Sequence, residues 1–166
     1  MIQPGDKLPA VPVKLIAGAE TTDTSADAVL GSGKVVFFTV PGAFTPTCDT
    51  SHLPGFIANA PKLREYGVTR IVCGTVNDHH VVRAWAERSE ALDAVDFIAD
   101  VHCALAEDLG LTTETANLGK RFRRCAMIIA EGVVQDVFVQ DVAGVTVSGA
   151  PAVLLALEAS TSSVSA

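Results

Sequence analysis

The sequence predicts an α/β fold in which helices flank a central mixed sheet. Strand-like runs such as KVVFFTV (34–40) and VTRIVCGTV (68–76) are apolar and β-branched without alternation, which is typical of strands buried on both faces of a parallel sheet. Segments with helical patterns separate these runs. Near the end of the chain, two strand patterns flank Glu131 and Gly132, which indicates an antiparallel hairpin. Parallel and antiparallel pairs are therefore expected in one sheet.

Length and composition indicate one domain of ordinary size. The 166 residues are enough to bury an α/β core, and we predict a single domain over residues 1–158 and a flexible Ser/Thr/Ala-rich tail over 159–166. The formal net charge of -7 argues against a surface for nucleic acid or anionic membrane. The first residues lack a basic and apolar leader, and no run approaches the roughly 18 apolar residues of a spanning helix. We therefore expect a cytoplasmic protein without nucleic-acid or membrane partners.

The first half of the chain contains a βαβ unit. The segment VPVKLIAG (11–18) suits either an added strand or part of a hairpin, and the pattern leaves both open. After the strand at 34–40, a helical pattern continues through IANAPKLREYG and ends at Gly67, a suitable C′ residue. The run at 68–76 is the next strand. The connection between the two strands is expected to be right-handed.

The second half adds two helices, one strand, the hairpin and a closing helix. Asn77 and Asp78 start a turn and cap a helix. The predicted elements after this turn are a helix at 81–91, a strand at 95–100, a short helix at 103–111, hairpin strands at 125–130 and 133–140, and a closing helix at 150–159. This order matches the thioredoxin-like layout, which we predict for the domain.

A lone cysteine stands in the polar, proline-rich segment TVPGAFTPTCDTSHLPGF, which follows the strand at 34–40. The carboxyl ends of strands in open α/β sheets usually carry the ligand site. Thr45 suits an N-cap and Pro46 the first helical position, so Cys48 falls in the first turn of a helix. The free backbone N–H groups and the positive helix end there favour an anion such as a thiolate. This context indicates a reactive cysteine, although a single cysteine is most often a small buried hydrophobic residue.

The remaining candidate ligands and nucleophiles give weaker signals. The four cysteines, Cys48, Cys73, Cys103 and Cys125, include no CxxC pair, which counts against a zinc finger or dithiol motif. His52 lies four residues after Cys48 on the same helix face, which raises a Cys/His hydrolase as a competing interpretation. A papain-type enzyme takes its histidine from a distant part of the sequence, so we expect His52 to pack or to fix the loop. No metal site is expected, because the adjacent His79 and His80 would point apart.

The cysteine segment resembles the signature of a known family. PGAFTPTC followed by HLPGF is similar to the peroxidatic-cysteine motif of peroxiredoxins, specifically the type II, atypical two-cysteine (peroxiredoxin-five-like) branch. The family pattern of Pro, three residues, Thr, two residues and Cys is matched by Pro41, Thr45 and Cys48. VNDHHVVRAWA (76–86) resembles the family's SVND turn and following helix, and RRCAMII (123–129) resembles its late arginine-bearing strand.

The resemblance implies a thiol-dependent peroxidase that reduces hydrogen peroxide and small organic hydroperoxides without a metal, haem or flavin. Cys48 would be the nucleophile and would form a sulfenic acid. Thr45 would offer its hydroxyl to the peroxide, and Pro41 would shield the sulfur from bulk water. Arg124 would place a positive charge beside the thiolate and the developing oxyanion, with Arg123 as its rival for that role.

The resemblance also implies regeneration by glutathione and glutaredoxin or by thioredoxin, and a homodimer that packs near the active-site loops. Val147 stands where some branch members have a resolving cysteine, which excludes that internal disulfide. Cys73 matches a second cysteine of type II members and is a possible second redox cysteine, although its apolar strand favours a buried structural role. Cys103 and Cys125 match no family cysteine. The alternative function is a thioredoxin-like redox sensor whose Cys48 is oxidised without sustained turnover.

Overall fold

A computed structural model of the chain describes residues 1–141 and 144–165, with side chains described as far as residue 160. The strands are β1 (Pro12–Ala17), β2 (Glu20–Ser25), β3 (Lys34–Thr39), β4 (Val68–Thr75), β5 (Asp96–Ala99), β6 (Thr112–Thr115), β7 (Gly119–Phe122), β8 (Cys125–Ala130) and β9 (Val133–Val139). The helices are α1 (Ala26–Leu30), α2 (Leu53–Glu65), α3 (His79–Arg88), α4 (Ala104–Asp108) and α5 (Ala150–Ser165), and a π-helical turn, Cys48–His52, leads into α2.

The main sheet is mixed, and its order is β2-β1-β5-β4-β3-β8-β9. β3 pairs in parallel with β4, and β4 with β5. The pairs β3–β8, β8–β9, β1–β5 and β1–β2 are antiparallel. The predicted α/β fold with a central mixed sheet is therefore confirmed, including the antiparallel hairpin near the end of the chain.

The central strand β3 separates two layers of core. Because successive side chains of a strand point to opposite faces, Val36 and Phe38 pack in one layer while Val35 and Phe37 pack in the other. All four side chains are fully buried, which explains the absence of polar alternation in this run. The first layer, called here the α2 layer, contains α2, α3, α5 and the Cys48 side chain. The second, called the α4 layer, contains α1 and α4.

The predicted punctuation of the elements is confirmed at two positions. Gly67 follows α2 with a φ of +89°, a left-handed conformation that suits glycine at a helix C-terminus. The Asp78 side chain caps α3 by accepting hydrogen bonds from the backbone N–H groups of His80 and Val81, at 2.9 and 3.1 Å. Gly67 lies at the turn from α2 into β4, and Asp78 lies at the turn from β4 into α3.

The N-terminal segment that the sequence left open forms the β1–β2 hairpin, and β1 joins the main sheet beside β5. A second hairpin, β6–β7, forms a separate two-stranded sheet that the sequence pattern did not predict. Helix α5 continues through the Ser/Thr/Ala-rich tail as far as Ser165, and the flexibility expected of that tail stays a prediction. Among the described residues, no helix is both long enough and apolar enough to cross a membrane.

Gly74 lies in β4 where no side chain fits. A Cβ added there would come within 2.7 Å of Cζ of Phe37, which is fully buried. We expect Gly74→Ala to lower the free energy of unfolding by about 1–3 kcal/mol, because the ring must leave its rotamer or the strand must shift.

The matched control is Gly55→Ala in α2, where the added Cβ has no atom within 4 Å. Since alanine favours a helix over glycine, this variant should be more stable by up to about 1 kcal/mol. Urea unfolding of the two variants and the wild type measures both changes. Equal stability of the two variants would refute the packing argument.

Candidate active site

Cys48 lies in the first turn of the helix that follows β3. Pro46 and Thr47 begin the helix, and the backbone N–H of Asp49 donates to the Thr45 carbonyl at 2.9 Å. The π-helical turn closes when the Leu53 N–H donates to the Cys48 carbonyl. The predicted first-turn position of Cys48 is thus observed, at the carboxyl end of the central strand. Its side chain is fully buried in the α2 layer.

The positive group next to the thiol comes from Arg124. Its Nη2 donates to Cys48 Sγ at 3.2 Å, and its Nη1 lies 3.0 Å from Nδ1 of His52. Arg124 directly precedes β8, whose first residue, Cys125, pairs with Thr39 at the end of β3. The antiparallel pairing of β3 and β8 therefore places Arg124 beside the segment that begins where β3 ends.

Arg123 points elsewhere. Its Nη2 donates to Oδ1 of Asp141 at 3.1 Å, and its carbonyl accepts a hydrogen bond from the Thr39 hydroxyl at 2.7 Å. The two neighbouring side chains therefore have different partners, and Arg124 is the arginine that contacts the cysteine.

His52 fixes the guanidinium of Arg124 from the other side. Its Nε2 lies 2.8 Å from the Ser148 carbonyl, which can only accept, so Nε2 carries the proton and Nδ1 accepts from Arg124. The ring packs against Phe38 and Phe56, with centroid distances of 5.0 and 5.6 Å. Burial lowers the pKa of His52 to about 4. The neutral imidazole is therefore an acceptor that holds a cation in place.

This geometry also decides against the Cys/His hydrolase interpretation. Both ring nitrogens of His52 have partners other than Cys48, and the lowered pKa makes the imidazole a poor base. A general base must lie within hydrogen-bond reach of the proton that it removes. His52 instead bonds to Arg124, which donates to the Cys48 sulfur. This placement agrees with the packing or loop-fixing role expected for His52.

A buried polar network continues from His52 into the loop before α5. Gln140 Oε1 accepts from the Ser148 hydroxyl at 3.1 Å and from the Thr146 backbone N–H at 3.0 Å. The Gln140 backbone N–H donates to the Arg124 carbonyl at 2.9 Å. Sequence reasoning did not single out Gln140 or Ser148, because both are remote from Cys48 along the chain. The neighbouring Val147, which marks the position of a resolving cysteine in the resemblance, is exposed at the surface.

The loop between β3 and the helix is held by Asn77 and by a tight turn. The Asn77 side-chain oxygen accepts from the Ala43 backbone N–H at 2.8 Å and from the Thr75 hydroxyl at 2.7 Å. The Thr45 hydroxyl donates to the Gly42 carbonyl at 2.7 Å, which closes the loop rather than caps the helix. Pro41 lies at the start of this loop and is half-buried. The resemblance to the SVND turn singles out Asn77, but the sequence indicates only that this residue lies in a turn. It does not indicate that its side chain holds the loop before Cys48.

The other three cysteines differ in placement from Cys48. Cys73 lies in the α2 layer with Cys48 and is fully buried like it, and burial raises the pKa of the Cys73 thiol well above the usual value. Cys125 lies in the α4 layer, where burial raises its pKa to about 12. Cys103 packs against the same layer, and partial burial raises its pKa. All four thiols are free. No cluster suited to a metal occurs among the His, Cys, Asp and Glu side chains of the described residues.

The structure and the comparisons together identify the class of protein. A thiol paired with a guanidinium at the end of the central strand of a thioredoxin-like sheet defines a thiol-based redox protein. Residues 3–154 match the redoxin family. The chain belongs to the peroxiredoxins, the thiol-dependent peroxidases of that fold.

Three relatives show the extent of the similarity. The chain is 40% identical to peroxiredoxin-2E-2 of Oryza sativa, covering 92% of this chain and 71% of that protein. It is 36% identical to the hybrid peroxiredoxin hyPrx5 of Haemophilus influenzae, over 82% of this chain, and it spans only 57% of that protein's length. The crystal structure of reduced Prx3 from Vibrio vulnificus in complex with H₂O₂ superimposes with a TM-score of 0.91 and 37% identity, covering 97% of this chain and 99% of that one.

The neutral state of His52 predicts a pH dependence of stability. The pKa of His52 is about 4 in the folded protein, against about 6.5 for an unfolded histidine. The unfolded state therefore binds more protons as the pH falls below 6.5, and the free energy of unfolding should drop by about 3 kcal/mol between pH 6.5 and pH 4 from this group alone. Above pH 6.5 both states are neutral, and this contribution is fully present.

Urea unfolding between pH 5 and 7, above the range where most carboxylates titrate, measures the effect. In His52→Gln the decline should flatten, because the amide keeps a donor and an acceptor but does not titrate. The exposed His80 provides the control, and His80→Gln should retain the wild-type slope. An unchanged slope in His52→Gln would show that the buried imidazole is not the titrating group.

Proposed function

We propose that this protein reduces hydrogen peroxide and small organic hydroperoxides with Cys48 as the nucleophile and an external thiol as the reductant. The observation that carries the proposal is the 3.2 Å contact between Arg124 Nη2 and Cys48 Sγ. A guanidinium in this position places a positive charge directly beside the sulfur that would attack the peroxide. The similar Prx3 of Vibrio vulnificus has been crystallised in its reduced form in complex with H₂O₂, which supports the assignment of the substrate.

The first step is an in-line displacement at one peroxide oxygen. The Cys48 thiolate forms a bond to that oxygen, the O–O bond breaks, and the other oxygen leaves as hydroxide or alkoxide and takes up a proton. The sulfur loses two electrons and becomes a sulfenic acid, while the peroxide gains them. Negative charge moves from the sulfur to the leaving oxygen, so the site must stabilise charge at both positions. The fixed guanidinium of Arg124 offers N–H donors to both.

The loop residues complete the proposed site. Thr45 lies three residues before Cys48, and its hydroxyl, which donates to the Gly42 carbonyl, has lone pairs that can accept a hydrogen bond from the peroxide. Pro41 at the start of the loop presents an apolar ring and no N–H group, which limits the approach of bulk water. Asn77 holds the backbone of the loop through Ala43. In this proposal Thr45 and Pro41 shape the peroxide site, and Asn77 positions it.

The second step needs a thiol from another molecule. That thiol attacks the sulfenic sulfur, releases water and leaves a mixed disulfide, which a further thiol then reduces. Cys73 is buried with a raised pKa, and Cys103 and Cys125 pack in the opposite layer of the core. Val147 occupies the position of a resolving cysteine. These placements favour glutathione with glutaredoxin, or thioredoxin, as the reductant.

A homodimer that packs near the active-site loops is part of the same proposal. Two large apolar side chains near the site support it, since Phe44 is 42% exposed and Val147 is 46% exposed. Burial of such side chains is the usual driving force for association. The cytoplasmic location stays a prediction.

The charge assignment predicts different effects for the two neighbouring arginines. Arg124→Met should slow the oxidation of Cys48 by about 10²-fold or more, because one group that stabilises the developing charge is lost. Arg123→Met should retain the wild-type rate within a few fold, since Arg123 pairs with Asp141. Rapid-mixing measurements of the second-order rate with hydrogen peroxide test both, and Cys48→Ser gives the background. A larger loss in Arg123→Met would transfer the role to that residue.

The assignment of the reductant predicts turnover without an internal disulfide. After one equivalent of peroxide, trapping of free thiols and peptide mass analysis should find sulfenic acid, or a glutathione adduct, on Cys48. Cys73→Ser should keep its turnover of peroxide with glutathione plus glutaredoxin or with thioredoxin plus its reductase, whichever supports the wild type.

Two results would contradict this scheme. A dominant disulfide between Cys48 and Cys73, together with loss of turnover in Cys73→Ser, would identify Cys73 as the resolving residue. Oxidation of Cys48 without sustained turnover in either reductant system would favour the redox-sensor alternative.

A further inference from the structure

The residue directly after Cys48 is tied to a different helix. Asp49 Oδ1 accepts a hydrogen bond from Trp85 Nε1 at 2.9 Å and forms an ion pair with Arg88. Trp85 and Arg88 are three residues apart in α3 and therefore lie on one face of that helix. Trp85 is fully buried, and the two bonds lower the pKa of Asp49, so the carboxylate is charged at neutral pH. The first turn of the active-site helix is thus anchored to α3 through a carboxylate.

Arg88 also reaches the chain on the other side of Cys48. Its guanidinium carbon lies 4.8 Å from the centroid of the Phe44 ring, a cation–π contact. Phe44 has a φ of +64°, a left-handed conformation that is costly for a residue with a large side chain. One side chain of α3 therefore contacts both the loop before Cys48 and the turn that contains it.

We propose that Asp49, Trp85 and Arg88 form a latch whose strength sets how readily the Cys48 turn opens, and therefore how fast the reductant reaches the oxidised sulfur. The inference rests on the proposed function, because it concerns how the reductant reaches Cys48. Asp49, Trp85 and Arg88 are positioning residues, since their contacts are to the turn and not to the sulfur.

The burial of Cys48 makes an opening step necessary. Its side chain has no exposed surface. A reductant thiol is much larger than hydrogen peroxide and must approach the sulfur along the line of the bond that breaks, so it needs more room than the closed turn leaves. Cys48 and Asp49 are consecutive, and the Asp49 N–H is bound to the Thr45 carbonyl within the same turn. Cys48 cannot move outward by several ångströms while Asp49 keeps its partners on α3. The two contacts of Asp49 must therefore break when the turn unwinds.

The latch can be altered without changing the catalytic residues. The Thr50 hydroxyl bonds to the Pro46 carbonyl inside the turn and moves with it, while His52 contacts Arg124 and belongs to the site itself. Asp49 instead links the turn to α3. Since Arg88 is more than half exposed, its ion pair contributes modestly, and the buried Trp85 bond adds to it. Together they are expected to shift the opening equilibrium by about tenfold.

The test compares Asp49→Asn, Asp49→Ala and Arg88→Gln in the full-length protein. Protein oxidised with one equivalent of hydrogen peroxide is mixed with glutathione, and the reduction rate of the Cys48 sulfenic acid is measured. We expect reduction about tenfold faster in Asp49→Ala and about threefold faster in Asp49→Asn and Arg88→Gln. Oxidation of Cys48 by peroxide should stay within about threefold of the wild type, because the closed turn still dominates.

Two further readouts detect opening itself. Alkylation of Cys48 by iodoacetamide in the reduced protein, followed by peptide mass analysis, should accelerate in the same order and does not depend on peroxidase activity. Trp85 is the only tryptophan of the chain, so its fluorescence reports directly on its bond to Asp49. The Trp85 fluorescence should change when the wild type is oxidised. In Asp49→Ala, which lacks this bond, the reduced protein should already show the changed fluorescence.

Arg83→Gln is the matched control. Arg83 lies in the same helix and pairs with Glu87 at 3.6 Å, but its other bonds go to the β1–β2 hairpin, at Gly18, Glu20 and Thr21, and not to the cysteine turn. It should change none of the rates. The latch is refuted if Asp49→Asn and Asp49→Ala both leave reduction and alkylation within twofold of the wild type, or if oxidation and reduction slow in parallel. Failure of Cys48 to react with peroxide in the wild type would instead refute the proposed function and leave the alkylation result to decide on the latch.

Discussion

The contact between the buried Cys48 sulfur and the partly buried Arg124 guanidinium is the constraint on which the rest of the site depends. A guanidinium partly removed from water is costly unless its donors find acceptors, and the sulfur supplies only one of them. His52 supplies another, but only in the neutral form with the proton on Nε2. The Ser148 carbonyl selects that form by accepting from Nε2, and Gln140 in turn binds the Ser148 hydroxyl. The charge beside the cysteine thus requires a chain of partners that extends to the loop before α5.

This network has a consequence for rigidity. Cys48, His52, Gln140 and Ser148 are buried, Arg124 is partly buried, and each has a defined partner. Every buried side-chain nitrogen and oxygen in the described part of the chain is satisfied. A fully satisfied polar network holds its members in one arrangement, because any displacement leaves a buried donor or acceptor unpaired. The reaction with peroxide benefits from this rigidity, since the donors are in place before charge develops. The reaction with a second thiol is opposed by it, since the same packing covers the sulfur. The turn around Cys48 must therefore combine a fixed closed state with a limited cost of opening.

The sequence predicted the elements whose signals are local. The run at 34–40 lacks alternation because both faces of β3 are buried, and Gly67 and Asp78 end and begin helices through bonds to residues nearby in the chain. The β1–β2 hairpin was left open and the β6–β7 hairpin was missed for a common reason. β2 reads ETTDTS and is largely exposed, and β6 and β7 pair outside the main sheet, so neither carries the apolar pattern that marks a strand.

The site was predictable only in part, for a related reason. The segment around Cys48 shows the helix start and the proline and threonine pattern, but the bond from His52 to Arg124 joins residues 72 apart and the bond from His52 to Ser148 joins residues 96 apart. Only the strand order brings these residues together. Because β8 runs antiparallel to β3, the residue before β8 lies at the carboxyl end of β3, where the Cys48 segment begins. The resemblance pointed to Arg124, and the structure places that side chain on the Cys48 sulfur while Arg123 pairs with Asp141. The sequence alone could not separate the two neighbours, because the direction of each side chain depends on how the chain enters β8 from the preceding bend.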